Sequence, residues 1–178
     1  MGSLKNQILI SMPHMRDPFF SKAVVYICEH NKDGAMGMII NKKFNSDELK
    51  ESLDELFSVD NSLDLFMKDI FFGGPILPDK GIVLHHSDYI SPKSISVSKS
   101  IYITSKQDAF GELEKNKQIP YKLMLGHAGW SAGQLEREIE NGDWLIQNTT
   151  SDFVFNVPPK QMWSQANKSL GIDLGLSG

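Results

Sequence analysis

The sequence predicts an α+β fold, with a single compact domain over residues 1–178, a mixed or mainly antiparallel sheet and about four helices. Hydrophobic residues make up 40% and charged residues 22% of the chain, which is a globular composition. A length of 178 residues is enough to bury a core. Short apolar segments of strand type outnumber helical segments by about two to one and do not alternate strictly with them, which disfavours a doubly wound parallel sheet. The sequence does not decide whether the sheet curls into a barrel-like shape.

The first half of the chain is predicted to consist mainly of strands. These predicted strands span residues 8–10, 23–29, 37–40, 69–72 and 81–85. Residues 31–34 are predicted to be a hairpin turn, because the Asp33-Gly34 pair supplies the positive φ that tight hairpins need. A helix is predicted over residues 47–57, where leucines recur at helical spacing and Ser46 is a suitable N-cap.

The second half mixes strands with helices. The further predicted strands span residues 95–97, 101–104, 121–125, 144–147 and 153–157. One helix is predicted to begin at Ser105, and a final helix to open at the proline pair 158–159. Another helix is predicted over residues 132–140, since Ser131 and Gln134 have the S-x-x-Q spacing of a capping box.

Charge and targeting signals narrow the functional classes. The formal net charge of −4 and a pI near 5.7 disfavour direct binding to nucleic acid, which usually needs a basic stripe. The N-terminus shows no charged region followed by a long apolar stretch, and no apolar run is long enough to span a bilayer. The sequence therefore predicts a cytoplasmic protein without a membrane segment, and leaves its oligomeric state open.

Metal, cofactor and thiol chemistry are not predicted. Five histidines are present but form no HxxxH or HxH pattern, and the adjacent His85 and His86 would point to opposite faces of a strand. We therefore expect no metal site and no cofactor. The single cysteine, Cys28, lies in an apolar run and is predicted to be an inert core thiol.

Two glycine-rich segments are the most specific features of the sequence. Residues 125–136 are predicted to form a strand, a turn with glycines at positions 126, 129 and 133, and a capped helix. Such a turn can direct backbone N–H groups at a small anionic or nucleotide ligand, although the spacing matches neither G-x-G-x-x-G nor the Walker A pattern. Residues 71–75 form a second glycine turn. The alternative for both is purely structural, with the glycines allowing tight packing and Trp130 filling the core.

The chain resembles the YqgE/AlgH family of bacterial proteins over nearly its whole length. The similar blocks are residues 8–13, 17–20, 24–30, 34–41, 72–75, 81–85, 125–139, 141–145 and 163–173. The block containing Gly126, Trp130 and Gln134 is the most specific of them. The chain departs from the common pattern at Lys43, Lys80 and His127, where proline, arginine and tyrosine are common.

The resemblance implies a compact α+β fold and no established enzymatic activity, with some members labelled as transcriptional regulators. The leading hypothesis is therefore a non-enzymatic regulatory or binding protein that acts through a protein partner. A second hypothesis is a small-ligand-binding protein or enzyme whose site lies where the two glycine turns meet. A third is a regulator that binds DNA directly. The predicted ligand-binding residues are Glu29, Asn41, Gly73, Gly74, His85, Gly126, Gly129, Gln134 and Glu136.

Overall fold

A curled sheet of nine strands dominates the computed structural model, which describes residues 2–43, 70–116 and 118–169. In chain order, the strands of this described part are β1 Gln7–Ser11, β2 Val24–Asn31, β3 Gly34–Ile39, β4 Ile70–Phe72, β5 Ile76–His86, β6 Ile95–Ser96, β7 Ile101–Ser105, β8 Tyr121–Ser131 and β9 Trp144–Asn148. Their order across the sheet is β6-β7-β5-β8-β3-β2-β1-β9, and β4 adds to β8. Only the β4–β8 pair is parallel in these described ranges. The sheet forms a half-barrel, so the α+β prediction is confirmed.

Four helices accompany the sheet in the described residues. They are α1 Lys106–Lys115, α2 Gln134–Glu140, α3 Ser151–Asn156 and α4 Pro159–Ser169. Ser105 caps α1 by accepting a hydrogen bond from the backbone N–H of Asp108, and α4 opens at the proline pair, both as predicted. The helix predicted over residues 47–57 lies outside the described residues. None of the described helices has the length and apolar character needed to cross a membrane.

Each face of the sheet carries its own core. Side chains alternate between the two faces of a strand, so β2 sends Val25 and Ile27 to one core and Val24 and Tyr26 to the other. The first core is covered by α1 and α2, and the second by α3 and α4. This arrangement explains why the first five residues of β2, Val24 to Cys28, are apolar and buried, and it places Cys28 in the core as predicted. Burial raises the pKa of the Cys28 thiol to about 12.

The predicted strand over residues 153–157 is wrong, because residues 153–156 lie in α3 and Val157 is the C-cap of that helix. The alternation of Phe153, Val154 and Phe155 resembles a strand pattern. However, the Thr150 side chain accepts a hydrogen bond from the backbone N–H of Phe153 and caps a helix there. Val154 then packs into the second core from that helix, so the cap and the tertiary contact outweigh the β propensity of the sequence.

The sequence analysis predicted a turn in the glycine-rich stretch after residue 125. This prediction is also wrong, because β8 continues through the stretch to Ser131. β3 supplies the partner: Gly37 pairs with Ala128, and Gly34 pairs with Ser131. The helix starts at Gln134, two residues later than predicted, and Gly133 occupies its N-cap position with φ 75°. The predicted sequence of strand, glycine turn and helix is therefore a long strand with a two-residue connection to α2.

Candidate functional site

The two glycine segments lie directly against each other. The Gly73 backbone N–H donates to the carbonyl of Leu125 over 2.8 Å. A Cβ added at Gly73 would collide with the carbonyl oxygen of Gly126, and one added at Gly74 would come within 2.6 Å of the Ala128 nitrogen. The second hypothesis requires that these segments meet at one concave site, and the backbone contacts show only that the segments meet. Because backbone packs against backbone here, the glycines themselves fill the space between the segments.

The Glu138 carboxylate accepts three side-chain hydrogen bonds beside the glycine-rich stretch. The indole N–H groups of Trp130 and Trp144 each donate to its Oε1 over 3.0 Å, and the Gln134 amide donates to its Oε2 over 2.8 Å. The residues Trp130 and Trp144 are 7% and 3% exposed, and their rings meet edge to face. We call these four residues the tryptophan–glutamate cluster. It fastens α2 to β8 and β9.

Gln134, one of the predicted ligand-binding residues, is therefore engaged inside the protein. Its Oε1 accepts a hydrogen bond from the Ser131 backbone N–H over 2.9 Å, which is one half of the predicted capping box. Ser131 does not complete the box, because its own hydroxyl donates to the same oxygen. Glu138 was not among the predicted site residues, although its i+4 spacing from Gln134 places the two on one helix face.

Glu136 pairs with His30 across the β2–α2 junction. The backbone N–H of Leu4 donates to His30 Nδ1 over 2.9 Å, so that nitrogen carries no proton. The proton therefore sits on Nε2, which donates to Glu136 Oε2 over 3.1 Å. The pKa of Glu136 lies below its ordinary value, first because its own backbone N–H donates to the carboxylate and then because of His30. The pair ties the N-terminal segment to α2.

His85 is fully buried at the head of a chain of hydroxyl groups. Its Nδ1 donates to the carbonyl of His86 over 3.1 Å, so Nε2 must accept a hydrogen bond from the Thr104 hydroxyl, 2.7 Å away. Thr104 in turn accepts one from the Ser94 hydroxyl, also over 2.7 Å. Burial lowers the pKa of His85, which favours this neutral form.

Of the remaining predicted residues, Glu29 and Gly129 both pair in register with Met36, from the two strands that flank β3, and Asn41 follows the end of β3. Asn41 accepts a hydrogen bond from the Val24 backbone N–H and donates one to the Lys22 carbonyl, each over 2.9 Å. Glu29 is exposed on β2 next to a bulge, and Gly129 is exposed on β8. A cleft lies between β5 and the start of α1, and its lining includes Lys80, Lys106 and Phe110. None of the nine predicted residues lines this cleft. Among the described residues, no group of three metal-ligating side chains comes together.

A pair of lysines that the sequence analysis did not select shares one aromatic ring. Lys122 is 6% exposed, donates to the Ile40 carbonyl over 3.0 Å, and places its Nζ 4.6 Å from the centre of the Phe71 ring. Lys43 Nζ lies 5.7 Å from the same ring centre. Burial, and then the charge of Lys43, lower the pKa of Lys122 to about 7. A lysine within the apolar predicted strand 121–125 could have marked Lys122 by itself, but not its pairing with Lys43.

The Lys122 pKa gives a prediction for stability. The unfolded chain keeps this proton up to an ordinary pKa of 10.5, whereas the folded protein releases it near pH 7. The unfolded state therefore binds more protons between these values, and stability rises with pH. We expect urea denaturation to show the wild type gaining a few kcal/mol relative to Lys122→Met between about pH 7 and pH 10. Lys160→Met, at an exposed site, is the control, and an equal pH dependence in both variants would contradict the assignment.

Nearly the whole chain is similar in sequence to a known protein family. Residues 8–175 match the family model described as DUF179, AlgH-like. A UPF0301 protein of Pseudoalteromonas translucida is 39% identical over 177 residues, which cover 98% of this chain and 95% of that protein. The chain belongs to the AlgH-like family. A UPF0301 protein of a Marinomonas strain is also 39% identical, over 97% of this chain and 92% of the relative.

Solved structures of similar proteins agree with the AlgH-like assignment. The solution structure of AlgH from Pseudomonas aeruginosa has a TM-score of 0.74 and 34% identity, covering 97% of this chain and 92% of that one. A crystal structure of DIP2367 from Corynebacterium diphtheriae has a TM-score of 0.70 at 19% identity, covering 95% of this chain and 87% of its own, and so shows the fold alone. The resemblance identified in the sequence is confirmed. The function of this AlgH-like family is uncharacterised.

Proposed function

We propose that this AlgH-like protein is a cytoplasmic, non-enzymatic regulatory protein that works by binding a protein partner. The observation that carries the proposal is a pair of exposed isoleucines beside one edge of the sheet. Ile90 is 57% exposed and Ile95 is 60% exposed, and we call them the edge isoleucines. Large apolar side chains that are exposed gain free energy when a partner protein covers them.

The edge isoleucines flank one tight turn. The Ser94 backbone N–H donates to the Ser91 carbonyl over 3.0 Å, and the Ser91 backbone N–H donates to the Ser94 hydroxyl over 2.9 Å. These bonds close the turn between the two isoleucines. Ile95 belongs to β6, a terminal strand of the sheet that pairs with β7. The terminal strand of a sheet presents backbone groups to which another chain can bind, so an apolar anchor and a strand edge coincide here.

The charge of the chain favours a protein partner over DNA. A net charge of −4 gives little attraction to phosphates, so the regulatory role that the resemblance implies would be indirect. A salt titration with duplex DNA tests this part of the proposal. Affinity at low salt that falls steeply with added salt would favour direct DNA binding instead.

Site-specific photo-crosslinking in bacterial cells tests the proposed surface. A photoreactive amino acid at position 95 is expected to yield one discrete protein adduct, because Ile95 would lie at the centre of the interface. The same group at the exposed position Lys160 on α4 is the control and is expected to give no such adduct. Adding Ile90→Glu is expected to reduce the yield about tenfold. Equal products from both positions, or a yield unchanged by Ile90→Glu, would contradict the proposal.

A further inference from the structure

The N-terminal segment, residues 2–5, is hydrogen-bonded to the side chain of His30. That side chain is 5% exposed, and its Nδ1 accepts a hydrogen bond from the Leu4 backbone N–H over 2.9 Å. Leu4 is itself 5% exposed and belongs to the first core. The donor of this bond therefore lies on a buried residue, and a buried N–H that loses its acceptor is unfavourable.

Asn6 marks the end of this segment. Its backbone N–H donates to the Ile27 carbonyl over 2.9 Å, and its Oδ1 accepts a hydrogen bond from the Tyr26 hydroxyl over 2.6 Å. Both partners lie on β2, so these bonds do not depend on the position of Leu4. The φ of Asn6 is 69°, a left-handed conformation that asparagine tolerates better than most residues. Residues 2–5 therefore form a short arm, whose attachment beyond Asn6 depends on the contacts of Leu4 and His30.

A second proton on His30 breaks its bond to Leu4. Nε2 already carries the first proton and donates to Glu136, so the second proton enters at Nδ1. There it faces the Leu4 N–H, and two donors do not form a hydrogen bond. A backbone N–H, unlike a hydroxyl group, has no rotation that would turn it into an acceptor. The bond at Nε2 becomes stronger instead, because a charged imidazolium is a better donor to a carboxylate.

The charges around His30 favour this outcome. Glu136 is the charged group that α2 places against the ring. Its own backbone N–H and then His30 lower the pKa of Glu136, so the carboxylate stays ionised while a histidine takes up a proton. The partner of His30 on β3 is the uncharged Ala35, the neighbouring Glu29 lies on the other face of β2, and Lys5 is the cation of the arm itself. Acidification therefore strengthens the contact with α2 and removes the contact with the arm.

We propose that His30 is an acid-operated latch for residues 2–5. With one proton, it binds the Leu4 N–H and keeps Leu4 in the first core. With two protons, it stays paired with Glu136 and releases the arm, which withdraws Leu4 from the core. Opening takes up one proton, so the open fraction rises by at most about tenfold for each pH unit through the range in which histidine titrates. This latch acts without a partner and is independent of the partner binding proposed above.

Hydrogen exchange of single backbone amides, measured by NMR on the full chain, tests the latch. The protection factor compares each amide with an unfolded peptide at the same pH, so it removes the effect of pH on the exchange chemistry. Between about pH 8 and pH 5, the protection factor of Leu4 is expected to fall at least about tenfold, whereas that of Asn6 stays constant. A Leu4 protection factor that does not change with pH, or an equal fall at Asn6, would overturn the proposal.

Three variants assign the pH dependence to His30. His30→Asn puts an amide oxygen, which does not titrate, near the place of Nδ1, so Leu4 is expected to keep its protection across this range. His14→Asn changes an exposed histidine and is the matched control, which is expected to show the wild-type fall. Glu136→Gln removes the charge that favours the second proton, so the fall is expected at a lower pH. A wild-type fall in His30→Asn, its loss in His14→Asn, or an unchanged midpoint in Glu136→Gln would each refute the latch.

Discussion

Replacing Gly126 with alanine is expected to lower the free energy of unfolding by about 2–5 kcal/mol. The residue has φ 78°, which costs an L-residue about 1–2 kcal/mol. An added Cβ would collide with the Gly74 carbonyl oxygen and lie 3.1 Å from the Pro78 Cα. Both neighbours are backbone atoms, so the segments would have to move apart, at about 1–3 kcal/mol for overpacking. Urea denaturation followed by circular dichroism measures the loss.

Gly111→Ala is the matched control for this prediction. Gly111 lies within α1, and a Cβ added there would meet nothing within 4 Å. Alanine is the better helix former, so this variant is expected to gain about 0.5–1 kcal/mol. If Gly126→Ala were as well tolerated as Gly111→Ala, the close backbone contact would not be the reason for glycine at this position. The hypothesis that these glycines serve a ligand would then be favoured.

Glu138→Ala is expected to lower the free energy of unfolding by about 3–5 kcal/mol. The change leaves the indole N–H groups of Trp130 and Trp144 and the Gln134 amide without their acceptor. An unsatisfied buried donor costs about 1–3 kcal/mol, and this variant removes the acceptor of two indoles whose residues are 7% and 3% exposed. Urea denaturation followed by tryptophan fluorescence reports on the cluster directly.

Two variants on the same helix separate the hydrogen bonds from effects on the helix itself. Glu140→Ala changes an exposed glutamate and is expected to alter stability by no more than about 0.5 kcal/mol. Glu138→Gln keeps one oxygen for the indoles but turns an amide N–H2 group toward Gln134, so an intermediate loss is expected. Equal losses from Glu138→Ala and Glu140→Ala would mean that the tryptophan–glutamate cluster does not stabilise the fold.

Much of the fold follows from local patterns. The predicted α+β class, the hairpin at residues 31–34, the cap at Ser105 and the opening of α4 at 158–159 all agree with the structure. These features depend on neighbours in the sequence, such as a serine near the first N–H groups of a helix or alternating buried positions in a strand. The segment at 153–157 is different, since its alternation fits a strand and only the Thr150 cap and the contact of Val154 make it helical.

The site residues depend far more on tertiary structure. The sequence indicated that Gly126, Gln134 and Glu136 are specific, but not what they touch. Gly126 needs the Gly74 backbone, and Glu136 needs His30, which lies 106 residues earlier in the chain. The cation pair around Phe71 joins three segments of the chain, so no local pattern reports it.

The sequence by itself therefore determined the α+β class, most strand and helix positions and the AlgH-like family, because these depend on periodicity, caps and motif spacing along the chain. Only the tertiary structure decided that the glycine-rich stretch is a strand packed backbone to backbone against Gly73 and Gly74. It alone also placed the Lys122 amine over Phe71 in the second core. The physical reason is that close approach, burial and a shifted pKa depend on atoms brought together from distant parts of the chain.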